Sequence, residues 1–251
     1  MEREVLAGGP RATVVEIDGS GPSVIYLRGE EGWGPDPVRE QLAKSFTVYA
    51  PKLADTEECL GDLDGTHDLM VYLNEVMDAL DLESASLVGH SFGGMVAAEF
   101  AAMNPRRAER TVLLSPLGFW LNDHPVADLF AVDPNVQVKR LFANSESESA
   151  QAWLGAASRP DDIPRLRTMR AALHFLFPIP ERGLIRRIHR IACPTLIMWG
   201  AQDGIAASEY AQEFASMISD SSVEIVDNAA HMLGQDQPEA IARRVTEFLA
   251  A

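Results

Sequence analysis

Missing from this sequence is any apolar stretch of the roughly 20 residues that a bilayer-spanning helix needs. No membrane is therefore expected as a partner. The opening run from Met1 to Pro10 is charged and lacks the apolar core of a secretory signal, so the expected location is the cytoplasm. Cysteine is scarce as well. Cys59 and Cys193 lie far apart, in no metal-ligand spacing. That argues against a disulfide framework or a thiolate zinc site and leaves reduced thiols packed as small apolar side chains. No two histidines have metal-site spacing either, so neither a metal nor another cofactor is expected.

Basic residues are also in short supply. The chain carries 21 Lys and Arg against 37 Asp and Glu, a net charge of −16, which argues against nucleic acid as its main partner. The shortage is uneven. From Leu117 to Arg190 there are ten Lys and Arg against eight Asp and Glu, so the flanking sequence holds all the net negative charge. A shift of that kind marks a segment with a role of its own.

What remains is ample material for one catalytic domain: 251 residues, 47% of them hydrophobic. Apolar runs alternate with amphipathic stretches. Strands are predicted at Ala12–Ile17, Ser23–Leu27, Phe46–Tyr49, Ala85–Val88, Thr111–Leu114, Thr195–Trp199 and Val223–Val226. The later runs are continuously apolar, as in strands buried on both faces of a parallel sheet. Helices are predicted at Asp68–Leu80, Gly93–Met103, Glu209–Ile218 and Pro238–Leu249, the last with Pro238 at its first position. The alternation predicts an α/β fold with a mostly parallel, doubly wound sheet. From Leu117 to Arg190 no strand pattern is visible, and Ser145–Ser149 looks like an exposed polar turn leading into a helix. A stretch this long inside a compact domain must have structure of its own. The expected organisation is a core of residues 1–116 and 191–251 with a helical cap, or lid, inserted at 117–190.

The sharpest motif is Gly89-His90-Ser91-Phe92-Gly93-Gly94, between the apolar run ending at Val88 and the helical pattern after Met95. Strand, G-x-S-x-G, helix is the context of a nucleophile elbow. A serine on so tight a turn takes a strained backbone conformation, and side chains two positions either side of it would strike neighbouring backbone. Its oxygen is then presented above the sheet, near a helix N-terminus that favours negative charge.

On these residues the chain resembles the α/β-hydrolase superfamily along nearly its whole length. The resemblance implies the α/β-hydrolase fold, with a cap inserted after the sixth strand, here at Ser115-Pro116-Leu117-Gly118. It also implies a triad in the chain order serine, acid, histidine. Asp203 follows the strand ending at Trp199, and His231 follows the strand ending at Val226, both on loops at the sheet's carboxyl edge. Ser91 is then the nucleophile, His231 the general base, and Asp203 the group that sets the histidine tautomer. Asp123, after the Thr111–Leu114 strand, is the rival acid. Strand alternation turns His90 away from Ser91. His67 and His189 read as solvated, while His124 and His174 are candidates for lining a pocket.

Acyl transfer needs donors for an oxyanion. The backbone N–H of Phe92 is one, and the family places the second in the loop Leu27-Arg28-Gly29-Glu30-Glu31-Gly32-Trp33, at Glu30. Arg28 stands where family members usually carry histidine. In the cap, Trp120 and Phe175 are candidate substrate contacts, as is Met232 beside His231. Family members that cleave carbon–carbon bonds in ring-fission products commonly have tryptophan at the Met232 position. The expected reaction is hydrolysis of a carboxylic ester or lactone of a small, largely apolar molecule. The alternatives are a C–C bond hydrolase, a cofactor-free perhydrolase or haloperoxidase, and a receptor-like binding protein. A homodimer is compatible with the sequence.

Overall fold

The computed structural model describes residues 2–6, 12–29, 36–52, 63, 65–128, 131–159, 161 and 163–251. Its centre is an eight-stranded sheet: β1 (Glu2–Leu6), β2 (Ala12–Gly19), β3 (Ser23–Leu27), β4 (Thr47–Pro51), β5 (Ala85–His90), β6 (Ala108–Leu114), β7 (Thr195–Gly200) and β8 (Ser221–Val226). The spatial order is β1-β2-β4-β3-β5-β6-β7-β8. β2 pairs antiparallel with β1 and β4, and every other pairing is parallel. The expected α/β class and mostly parallel sheet are observed. The charged strand β1 at the edge has no apolar pattern to announce it.

The central strands β5 and β7 are buried along their full length, as continuous apolar runs require. Alternation divides the side chains of β3 and β7 between two cores. Ile25, Leu27, Ile197 and Trp199 enter one, while Val24, Tyr26, Leu196 and Met198 enter the other. The first core is covered by α2 (Thr66–Ala79), α3 (Ser91–Met103) and α7 (Glu209–Met217). The second is covered by α1 (Pro37–Leu42) and α9 (Pro238–Ala250), whose first residue is Pro238 as expected. A short helix, α8 (Leu233–Asp236), precedes α9.

Between β6 and β7 the chain forms α4 (Pro134–Leu141), α5 (Glu148–Ala157) and α6 (Ile163–Leu176), then 3-10 turns at Leu184–Arg186 and Ile188–Arg190. Asp133 caps α4 by accepting from the N–H of Asn135, and Ser147 caps α5 by accepting from that of Ala150. The predicted polar turn is therefore an N-cap. No helix among the described residues is long and apolar enough to cross a membrane.

Strand order explains where a site must form. The chain leaves β3 for β4 on one side and later returns to β5 on the other. The crevice beyond the carboxyl ends of β3 and β5 lies at that reversal, where open α/β sheets bind ligands.

Candidate active site

Ser91 joins β5 to α3 with a φ of 50°, in the left-handed region. Such a conformation costs a non-glycine residue on the order of 1–3 kcal/mol and persists only where the surroundings enforce it. Here two glycines allow a close approach of backbones. A Cβ on Gly89 would lie 2.3 Å from the carbonyl oxygen of Gly93, and one on Gly93 would lie 2.2 Å from that of Leu27. Neither contact is possible, which is the collision anticipated from the G-x-S-x-G spacing. The packing of Gly93 on Leu27 also presses the end of β3 against the elbow.

Oγ of Ser91 lies 2.8 Å from Nε2 of His231, whose Nδ1 lies 2.8 Å from Oδ2 of Asp203. An ionised aspartate only accepts, so Nδ1 carries the ring proton and Nε2 accepts from the serine hydroxyl. The second oxygen of Asp203 accepts the N–H groups of Ile205 at 2.8 Å and Ala206 at 3.0 Å. The carboxylate is thus fixed from both sides. Ser91 and His231 are 0% exposed, as is the side chain of Asp203. In surroundings so poor in water, these hydrogen bonds are stronger than at a surface. Asp123 is exposed, and the Nδ1 it would need is taken by Asp203.

His90 is not turned away from this chain of bonds. Its Nε2 lies 2.8 Å from the main-chain carbonyl oxygen of His231, with the two rings 5.2 Å apart. Alternation along β5 does separate it from Ser91, but the loop after β8 folds back over the strand end and meets it there. Of the other histidines, His67, His174 and His189 are exposed, and the carbonyl of His124 accepts from Tyr210.

Phe92 is the second residue of α3, and its N–H lies in the first turn, where the helix ladder supplies no acceptor. Its ring stacks on Phe175 at 5.8 Å. Glu30, the other expected donor, lies outside the described residues, as does Cys59. Arg28 is half-buried, with Nε 3.9 Å from Oδ2 of Asp36, the residue that caps α1 and accepts from the Tyr26 hydroxyl. Cys193 is buried against the hydroxyl of Thr111, and burial pushes its thiol pKa up.

A cavity of about 150 Å³ lies one residue removed from this chain of bonds, none of whose three members lines it. Trp120, Leu173, Leu176 and Phe177 line it from the inserted segment, together with Leu117 and Ile205. The last two tie the cavity to the site: the N–H of Leu117 donates to the carbonyl of Ser91, and Ile205 is held by Asp203. Of the three expected substrate contacts, only Trp120 lines this cavity. Phe175 is a buried support behind Phe92, and Met232 packs with Val138, Leu141, Phe142, Ala150 and Ile205 in a separate small core. Sequence reasoning missed Leu117 and Ile205 because their attachment runs through backbone N–H groups, which every residue but proline has.

The geometry and the comparisons agree on the class. The alpha/beta hydrolase family matches residues 9–244, and the chain belongs to that family. The chain is 28% identical to the 2-hydroxy-6-oxo-2,4-heptadienoate hydrolase of Pseudomonas putida, over 99% of this chain and 96% of the relative. It is 26% identical to the carboxylesterase YbfK of Bacillus subtilis, over 98% of this chain and 83% of the relative. Among solved structures, it is similar to the meta-cleavage product hydrolase CumD of Pseudomonas fluorescens IP01, with a TM-score of 0.80 at 19% identity over 98% of this chain and 96% of that one. The chain is an α/β-fold serine hydrolase whose relatives divide between esterases and C–C bond hydrolases.

Proposed function

We propose that this protein hydrolyses a carboxylic ester or lactone of a small, largely apolar molecule through an acyl-enzyme on Ser91, with residues 117–190 forming the cap over the site. In the first step His231 takes the hydroxyl proton as Ser91 Oγ attacks the carbonyl carbon. Asp203 stabilises the imidazolium that results. The N–H groups of Phe92 and Glu30 receive the oxyanion. His231 then passes its proton to the leaving alkoxide, and water repeats the sequence to release the acid.

The observation that carries the ester reading is the cavity. A space of about 150 Å³ with mostly apolar walls is large enough for a benzene-sized group. Among the described residues lining it, Asp128 alone is charged, and its sign is negative. A dienoate substrate brings a carboxylate, which is costly to bury in apolar surroundings without a cation. Met232, where C–C bond hydrolases of the family commonly have tryptophan, points the same way. The C–C bond reading is supported by the Pseudomonas putida relative, which matches over almost the whole of both chains.

One panel separates the two. p-Nitrophenyl esters from acetate to octanoate are assayed beside a 2-hydroxy-6-oxo-dienoate, with fluorophosphonate labelling of Ser91 as the control for an activated serine. Turnover of short and medium esters with an inert dienoate is the expected result. Labelling of Ser91 with turnover of the dienoate alone overturns the ester reading in favour of C–C cleavage. No labelling and no turnover overturns both in favour of a binding protein.

A further inference from the structure

Asp236 ends the short helix α8, five positions beyond His231 in sequence. Its Oδ2 accepts two backbone N–H groups: that of Ala230, next to His231, at 2.8 Å, and that of Ala143, just beyond α4, at 3.0 Å. A single carboxylate oxygen therefore joins the histidine loop to the inserted segment. Two further bonds run beside it. The N–H of Met232 donates to the carbonyl of Leu141 at 2.8 Å, and the N–H of Gly204 donates to that of Arg140 at 3.1 Å. Helices leave their last carbonyls without intrahelical partners. At the end of α4, two of those carbonyls are satisfied by the loops that carry Asp203 and His231.

The contact is close-fitting. A Cβ on Gly204 would lie 2.8 Å from Cα of Arg140, so a larger residue would push the acid loop off α4. Met232 and Ile205, one from each loop, share a small core with Val138, Leu141 and Phe142. The carboxylate itself is an uneasy tenant. Burial raises the pKa of Asp236, and the N–H groups of Ala230 and Ala143 only partly offset that.

We infer that Asp236 is a positioning residue for the hydrolytic reaction, setting His231 against Ser91 by fastening its loop to the end of α4. The inference rests on the reading of Ser91, His231 and Asp203 as the triad. Removing the carboxylate leaves the N–H groups of Ala230 and Ala143 without this acceptor and releases the peptide that precedes His231. Neither Asp236 nor the two residues it holds, Ala230 and Ala143, lines the cavity, so the loss falls mainly on the chemical step.

The test compares Asp236→Ala and Asp236→Ser with Asp236→Asn, using the best p-nitrophenyl ester, with Ser91→Ala as the reference. Alanine has no acceptor, and serine is too short to span both donors. Asparagine keeps one oxygen in place and no charge to desolvate. In whichever of the first two variants folds, kcat should fall about ten- to hundredfold, the scale set by misplacing a catalytic group by up to an ångström. KM should stay within about twofold of wild type, and fluorophosphonate labelling should slow in parallel. Asp236→Asn should recover most of kcat and melt no lower than wild type. A folded alanine or serine variant with wild-type kcat, beside an inactive Ser91→Ala, overturns the inference and spares the triad. An active Ser91→Ala overturns the triad itself.

Discussion

Arg187 and Glu99 form a two-point ion pair, with Nε of the arginine 2.8 Å from Oε2 of the glutamate and a second bond to Oε1. Glu99 lies on α3, the helix that begins with Ser91, and is 1% exposed. Arg187 comes from the last turns before β7 and also donates to the carbonyl of Arg182. Arg182 in turn donates to the carbonyls of Phe175 and Phe177 at the end of α6. The nucleophile helix and the end of α6 are thus linked through two arginines. Arg187→Met should leave a buried carboxylate unpaired and lower stability by about 3–5 kcal/mol. Chemical denaturation measures that loss. The double variant with Glu99→Leu should regain most of it, because no charge is then stranded.

Asp203→Asn should reduce kcat about ten-thousandfold, the loss seen when a serine-protease aspartate becomes an amide. The amide can donate to Nδ1, which favours the tautomer with its proton on Nε2, facing Ser91. Asp123→Asn should leave kcat unchanged, since the residue is exposed and Nδ1 of His231 is held by Asp203. Steady-state rates on one ester decide the matter, and a reversal would move the acid to Asp123.

Trp120 and Phe175 should respond differently to truncation. Trp120 lines the cavity, so Trp120→Ala should extend the range of acyl chains accepted and shift KM along the ester series. Phe175 is 2% exposed behind Phe92, so Phe175→Ala should cost about 3–5 kcal/mol in a thermal or urea melt. Equal effects on substrate profile from both would contradict the placement of Phe175 as a support.

Acid stability should carry the signature of Glu16. Burial opposes its charge, but the hydrogen bond and charge of Arg39, with Arg28 and Lys52 adding theirs, hold its pKa below the usual 4.5. A depressed native pKa gives stability that is complete above the unfolded value and is lost as pH falls through the native one. The native protein should therefore lose Tm steeply below pH 4.5. Arg39→Met should melt lower at neutral pH and show a shallower acid decline, measured by melts at pH about 7 to 3.

Ser91, Asp203 and His231 were legible as a candidate set because each lies on the segment that follows a predicted strand, and the order of the three loops is a property of sequence. Strand order was not legible. Nothing in the charged run Glu2–Leu6 announces the edge strand that pairs with β2, because an edge needs no apolar alternation. Trp120 and Phe175 looked alike as aromatics of the inserted segment, and only packing separates a wall from its support. Asp236 and His90 were invisible for another reason. Both act on main-chain atoms of the histidine loop, and a backbone acceptor or donor leaves no trace in the partner's identity.

β6 and β7 are paired neighbours, Leu114 beside Met198, although the whole inserted segment lies between them in sequence. The excursion leaves and rejoins the sheet at adjacent strands, and doubling the length of such a loop adds only about 0.6 kcal/mol of closure entropy. In evolutionary terms this is a socket. A different stretch grafted here would bring its own cavity walls at little cost to the sheet. The freedom stops at the end of α4, whose carbonyls hold Gly204 and Met232. A graft that omits that helix end changes more than the diet of the enzyme, because it also unseats the base.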